Sequence, residues 1–145
     1  MTSVYVVSSL RNPKVQDVAA KLRGVGLDVY DDWASPGPET DTWWQEYEQA
    51  RGRTFHEALE GWHALQVFEH DKRHLDRCDG VVLVLPAGKS AHLEFGYAIG
   101  SGKWGIILLD GEPERFDIMY RFANHVAYSV EDVVTLVEEY SEVPF

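Results

Sequence analysis

The chain has 145 residues, 45% of them hydrophobic, which fits one globular domain over residues 1–145 that buries about two thirds of its unfolded surface. A formal charge of −11 with no basic block excludes nucleic acid or an anionic membrane as the main partner, because phosphate backbones are held by clustered Lys and Arg. One cysteine, Cys78, excludes an internal disulfide and a cysteine-based zinc site and suits the cytoplasm, and neither a signal peptide nor an apolar run of membrane length is read.

The first apolar run, Val4 to Ser8, predicts a strand, β1. Ser9, Leu10, Arg11, Asn12 and Pro13 follow, and then Val15, Val18, Ala19 and Leu22 recur at helical spacing. Asn12 as cap with Pro13 at the first helical position is a strong helix start, and Gly24 or Gly26 is its natural end. Leu27 to Tyr30 gives β2. A strand, helix and strand in about thirty residues is half of a nucleotide-binding fold, but the G-x-G-x-x-G fingerprint is missing, so no dinucleotide cofactor is expected.

Asp31 to Asp41, with Pro36, Gly37 and Pro38, has loop composition and opens a helical insert reaching about Leu75, with a break expected near Gly52 and a bend at Gly61. Trp43, Trp44, Tyr47, Phe55, Trp62 and Phe68 lie in it at helical spacings, which predicts core packing for most of these rings, with one or two left to cover a crevice and stack on a flat base. His70 and His74 stand one turn apart, but without H-E-x-x-H, and among acids and bases, they read as a solvated helix face and not as metal ligands.

The stretch from Cys78 to Asp110 organises the chain. Val81 to Leu85 is a short, β-branched run that stops at Pro86 and predicts a strand buried on both faces, β3; Gly105 to Leu109 predicts β4. Between them Ala91, Phe95, Ala98 and Ile99 have helical spacing, with Gly100 and Gly102 as the stop, so the segment is one βαβ unit. Val126 to Tyr128 gives a short β5, and Val130 to Tyr140 a last helix with Asp132, Val133, Val134, Leu136 and Val137 on its inward stripe.

This order predicts a flavodoxin-like (Rossmann-like) α/β fold: a doubly wound, parallel, five-stranded sheet with a helical insert between β2 and β3. In the usual 2-1-3-4-5 order the loops after β1 and β3 face each other across the ligand crevice, which brings Arg11 and Glu94 together. Ser90 reads as a helix cap and Glu94 as a first-turn acid, although the spacing fails the capping box. Gly88, Lys89 and Ser90 copy the end of a Walker A sequence, but Leu83 stands where its first glycine belongs. What survives is a plain anion site, a Gly-containing turn at a helix N-terminus, which suits a monophosphate with Arg11 and Ser90 helping.

The stretch from Tyr5 to Asn12 (YVVSSLRN), the Asp79-Gly80 pair opening β3, and Gly88 to Ala98 (GKSAHLEFGYA) together resemble the nucleoside 2-deoxyribosyltransferase superfamily. Its members include transferases acting on nucleosides and N-glycosidases acting on nucleoside 5′-monophosphates. The resemblance follows the element order over most of the chain, and its specific part is about fifteen residues. It implies that Glu94 is the nucleophile at the anomeric carbon, that Asp79 is a proton donor or orienter, and that Tyr5 lies near the nucleophile. Ser8, Ser9, Leu10, Arg11, Gly88 and Ser90 match positions that hold the sugar and the phosphate. It also implies a homodimer or larger assembly in which a segment such as Met119 to Asn124 completes a neighbour's pocket, with Asn124 as a substrate contact. The long Trp-rich insert and His92, two residues before Glu94, depart from the family pattern.

The chemistry is consistent with those residue types. Breaking an N-glycosidic bond passes through an oxocarbenium-like state that a carboxylate below the sugar stabilises or captures, while an acid near the base assists its departure. His92 is a candidate for that acid or for a hydrogen bond to Glu94, against the plain use of a surface histidine. The expected substrate is therefore a nucleotide or nucleoside, with cleavage of a nucleoside 5′-monophosphate preferred on the strength of Arg11. The alternatives are a base-exchanging transferase and a catalytically silent nucleotide-sensing module. A response regulator is disfavoured because Ser8 and Ser9 stand where it needs acids.

Overall fold

The computed structural model describes residues 1–141. Five parallel strands, β1 (Ser3–Val7), β2 (Asp28–Tyr30), β3 (Gly80–Val84), β4 (Trp104–Leu108) and β5 (His125–Ala127), form one sheet in the order β2-β1-β3-β4-β5. The helices are α1 (Lys14–Gly24), α2 (Thr40–Ala50), α3 (Phe55–Leu59), α4 (Trp62–Arg77), α5 (Lys89–Gly100) and α6 (Val130–Ser141). This is the flavodoxin-like α/β arrangement expected from the sequence. Among the described residues no helix is long and apolar enough to cross a membrane.

Strand side chains alternate between two faces, and both faces are covered. Val4, Val6, Val82, Val84, Ile106 and Leu108 pack with Val15, Val18 and Leu22 of α1 and Val133 and Val137 of α6. Tyr5, Val7, Tyr30, Val81, Leu83 and Ile107 pack on the other side with Leu75 of α4 and Ala91, Phe95 and Ala98 of α5. All five strands begin or end a residue away from the apolar runs, and Gly80 shows why for β3. It already pairs with Trp104, and a side chain there would put a Cβ 2.1 Å from the Trp104 ring, so the ladder starts on a residue with no hydrophobic signature. Gly105 does the same for α5, since a Cβ there would lie 2.6 Å from Ile99 and 2.8 Å from Phe95; its absence lets the helix bearing Glu94 settle close to β4.

The insert is three helices. Gly52 breaks the first at φ +75°, Thr54 and Glu57 close a capping box on α3, and Gly61 begins α4 with extended backbone, so the expected bend is a new helix start. The core packing expected for the insert aromatics is overturned. Trp43, Tyr47, Phe55, Trp62 and Phe68 are 60%, 55%, 72%, 75% and 63% exposed, and of the six rings only Trp44 is half-buried. Their spacing places rings on common stripes, but α1 with α6 and the Leu75 side of α4 with α5 already fill the two sheet faces, which leaves α2 to cover one end of the sheet and the Trp62 and Phe68 rings of α4 outside the core. Glu48 is the sole buried residue of α2, paired at 3.3 Å with Arg53.

Candidate active site

All five strands point the same way, so the connections that follow β1, β2 and β3 gather at one end of the sheet, where they enclose a cavity of about 1110 Å³. Its floor is the loop Ser8 to Arg11 and the start of α5, Gly88 to Ala91 with Glu94. Tyr30, Trp33 and Asp71 form one wall, and Asp41 and Trp44 of α2 stand over it.

Tyr5 is fully buried in β1, and its hydroxyl donates to Glu94 Oε2 at 2.8 Å. Burial pushes the Glu94 carboxyl up to about 7, the negative Asp71 nearby pushes the same way, and the Tyr5 bond pulls against both. Tyr5 itself is held far above the ordinary phenol range by burial and by the Glu94 charge, so it stays a donor. Glu94 is thus a half-buried carboxylate with one oxygen fixed and neutralisable near physiological pH, which suits a nucleophile that must be poorly solvated to react.

A second acid faces the same space. Asp71, on α4, accepts a hydrogen bond at 2.8 Å from the hydroxyl of Tyr30, and burial raises its carboxyl above the usual range against the lowering effect of that bond. Sequence reading passed over Asp71 by treating the neighbouring His70 and His74 as a solvated face. The structure corrects this for His74, which is half-buried and stacks on Tyr30 at 4.1 Å, while His70, edge-on to it at 4.9 Å, is exposed as expected. A usable signal was present, because Asp71 lies one turn before Leu75, the buried residue of its helix, so an acid stands on the side of α4 that turns inward.

The loop after β1 is tied down from beneath. The Ser8 hydroxyl donates to Val84 O at 2.6 Å, and the Asn12 amide donates to Ser8 Oγ at 3.0 Å and Pro86 O at 3.2 Å, joining the β1 and β3 ends. Asn12 Oδ1 accepts from the Lys14 N–H at 3.0 Å, the helix-start bond its position predicts. Ser9 and Leu10 line the cavity beside it, and Arg11 reaches the rim, where its guanidinium forks onto Asp41 of α2 at 2.8 and 3.2 Å. Ser90 is not the cap expected: Gly88 holds that position with extended backbone, so the first N–H groups of α5 face the cavity floor without a side-chain acceptor.

Three expected site residues lie elsewhere. Asp79 precedes β3 and therefore sits at the opposite end of the sheet, its Oδ2 accepting from the Ser3 N–H at 2.8 Å, away from the cavity. His92 points off the other side of α5, with Nδ1 2.7 Å from Gly88 O and Nε2 2.9 Å from the Tyr120 hydroxyl. Asn124 closes the start of β5, its Oδ1 accepting from the Gly105 N–H at 2.8 Å, and does not line its own chain's cavity.

No model of a protein family matches the chain, and no curated protein sequence does. Solved structures do. The CMP N-glycosidase BcmB of Clostridium botulinum superposes with a TM-score of 0.56 at 17% identity, over 94% of this chain and 99% of that one. A 2-deoxyribosyltransferase of Bacillus psychrosaccharolyticus superposes with a TM-score of 0.62 at 18% identity, over 92% of this chain and 90% of that one. What the chain shares with both, across nearly its whole length, is the fold.

Proposed function

We propose that the chain cleaves the N-glycosidic bond of a ribo- or 2-deoxynucleoside 5′-monophosphate and releases the free base. The observation that carries this is the Tyr5–Glu94 pair beside Asp71 in one cavity, two carboxylates of which one is oriented as a nucleophile. The likeness to a CMP N-glycosidase and a 2-deoxyribosyltransferase supports it. Glu94 forms a bond to C1′ as the C1′–N pair withdraws into the base, which takes a proton from Asp71; water then displaces Glu94 from C1′ and returns a proton to Asp71. No cofactor takes part. The test is a panel of nucleosides and 5′-monophosphates, ribo and deoxy, incubated with and without a second base and read by mass spectrometry. Free base from a monophosphate supports the reading, and release from none of them favours a silent nucleotide-binding module.

The 5′-phosphate would rest on the N–H groups at the start of α5 with Arg11 and Ser90. The Arg11–Asp41 fork favours a second reading, base exchange on an unphosphorylated nucleoside, because it occupies the cation that a phosphate needs. Arg11→Ala decides between them: kcat/KM for monophosphates is expected to fall by about 1.5–3 kcal/mol, with little change on the matching nucleosides. Equal losses on both forms would give the transferase reading the lead.

We also propose that the chain works in the cytoplasm as a homodimer or larger assembly, with the segment Met119 to Asn124 reaching a neighbour's pocket. Ile118, Met119 and Phe122 are 74%, 62% and 68% exposed, an apolar cluster that a second copy would cover. Sedimentation at working concentration is expected to show self-association, and a fully active monomer would contradict it.

A further inference from the structure

Tyr5 and Tyr30 are cross-strand neighbours in the β1–β2 register, with ring centroids 4.8 Å apart, and each phenol holds a carboxylate from a different helix. Tyr5 holds Glu94 of α5, and Tyr30 holds Asp71 of α4, both at 2.8 Å. Tyr30 is 8% exposed and clamped between the Tyr5 ring and the stacked His74 ring, so its hydroxyl has little freedom to aim elsewhere. We propose that Tyr30 is a positioning residue, fixing one oxygen of Asp71 so that the other carries the proton toward the departing base. This rests on the reading of Asp71 as the acid that serves that base.

The physical need is specific. An aspartate carboxyl rotates about a broad, roughly two-fold torsion, so an unheld Asp71 would present its proton to the cavity only part of the time. With Oδ1 accepting from Tyr30, the proton of neutral Asp71 belongs on Oδ2. As the C1′–N electron pair moves onto the base, a base nitrogen takes that proton, Asp71 becomes the carboxylate, and Tyr30 keeps its own proton throughout. Burial and the Asp71 charge hold the Tyr30 hydroxyl well above the ordinary phenol range, so it does not compete as the acid. The charged and titratable groups facing Asp71 are Tyr30 and Asp32 from β2 and the turn after it, Tyr5 from β1, Glu94 from α5, and His70 and His74 on its own helix.

Tyr30→Phe keeps the clamped ring and removes only the hydroxyl. It is to be assayed on the best nucleoside 5′-monophosphate of the panel and on the para-nitrophenyl glycoside of the same sugar phosphate, whose nitrophenolate leaves without a proton. Expected are a loss in kcat of about tenfold to a hundredfold on the nucleotide, part of the gain a general acid supplies, and a change under about threefold on the nitrophenyl compound. The alkaline limb of the nucleotide pH profile should move upward, since the lost bond favoured ionised Asp71. In an Asp71→Asn background the same substitution should cost under about threefold. Equal losses on both substrates, or losses that add fully to those of Asp71→Asn, would overturn the role. Wild-type protein that cleaves the nitrophenyl compound without needing Glu94 overturns the nucleophile reading alone. Wild-type protein that cleaves neither compound overturns the glycosidase reading and this role with it.

Discussion

Glu94→Gln is expected to lower kcat by about 10⁴-fold or more while leaving the fold intact, because removing a nucleophile ends the covalent route and leaves only binding and electrostatics. The side chain sits at the cavity floor and its one hydrogen bond comes from Tyr5, which a glutamine oxygen still accepts. The variant should also be more stable than wild type in mild alkali. Glu94 has its carboxyl raised from 4.5 to about 7, so the folded state favours its neutral form. Its stabilising contribution is therefore complete below the unfolded value and is lost as pH rises through the folded one, after which wild type carries an ionised, half-buried carboxylate that glutamine lacks. Urea unfolding at about pH 8 should favour Glu94→Gln by on the order of 1–2 kcal/mol after solvent screening, and the gap should close near pH 4.5. Activity within tenfold of wild type would remove Glu94 from the nucleophile role.

Asp71→Asn carries the next largest effect. An amide holds the Tyr30 hydroxyl bond but has no proton to give the base, so kcat should drop about 10²- to 10⁴-fold on nucleotides. The negative Asp71 raises the Glu94 carboxyl, so the two acids are coupled, the pair sheds its protons in two macroscopic steps, and the working form holds one proton between them. The rate should rise as the first proton leaves, fall as the second leaves, and lose its alkaline limb in Asp71→Asn. An alkaline limb unchanged in that variant would assign the acid role to another group.

Strands and their order were legible because a sheet buried on both faces writes itself as short β-branched runs, Val4 to Val7 and Val81 to Val84. Glu94 was legible because it follows such a run by a loop and a helix start, a position that geometry always brings to the cavity end. Asp79 illustrates the complementary rule: a residue that precedes a parallel strand lies at the far end from one that follows it, and closeness in sequence to β3 concealed that. Asp71 stayed hidden because its place depends on Tyr30, forty-one positions away, whose hydroxyl gives an acid on the inward side of α4 its partner. The exposed rings of Trp43 and Trp62 show a different limit, since helical spacing tells which residues share a side and says nothing about what covers it.

Pairing of Tyr5 with Tyr30 makes the sheet a ruler for the chemistry. Strand register changes only in whole residues, and a slip of one would turn Tyr30 onto the α1 side and strand Asp71 without its donor. The distance between the two acids is thereby set by backbone ladders deep in the fold. The cover of the cavity is set by α2, which hangs between Gly37 and Gly52, two glycines at φ +105° and +75°. Insertions or deletions in the connections flanking α2 can therefore remodel what sits above the base, whereas even a single-residue change within β2 alters the reaction geometry. The fold separates a part that can be varied to suit new leaving groups from a part that cannot be varied at all.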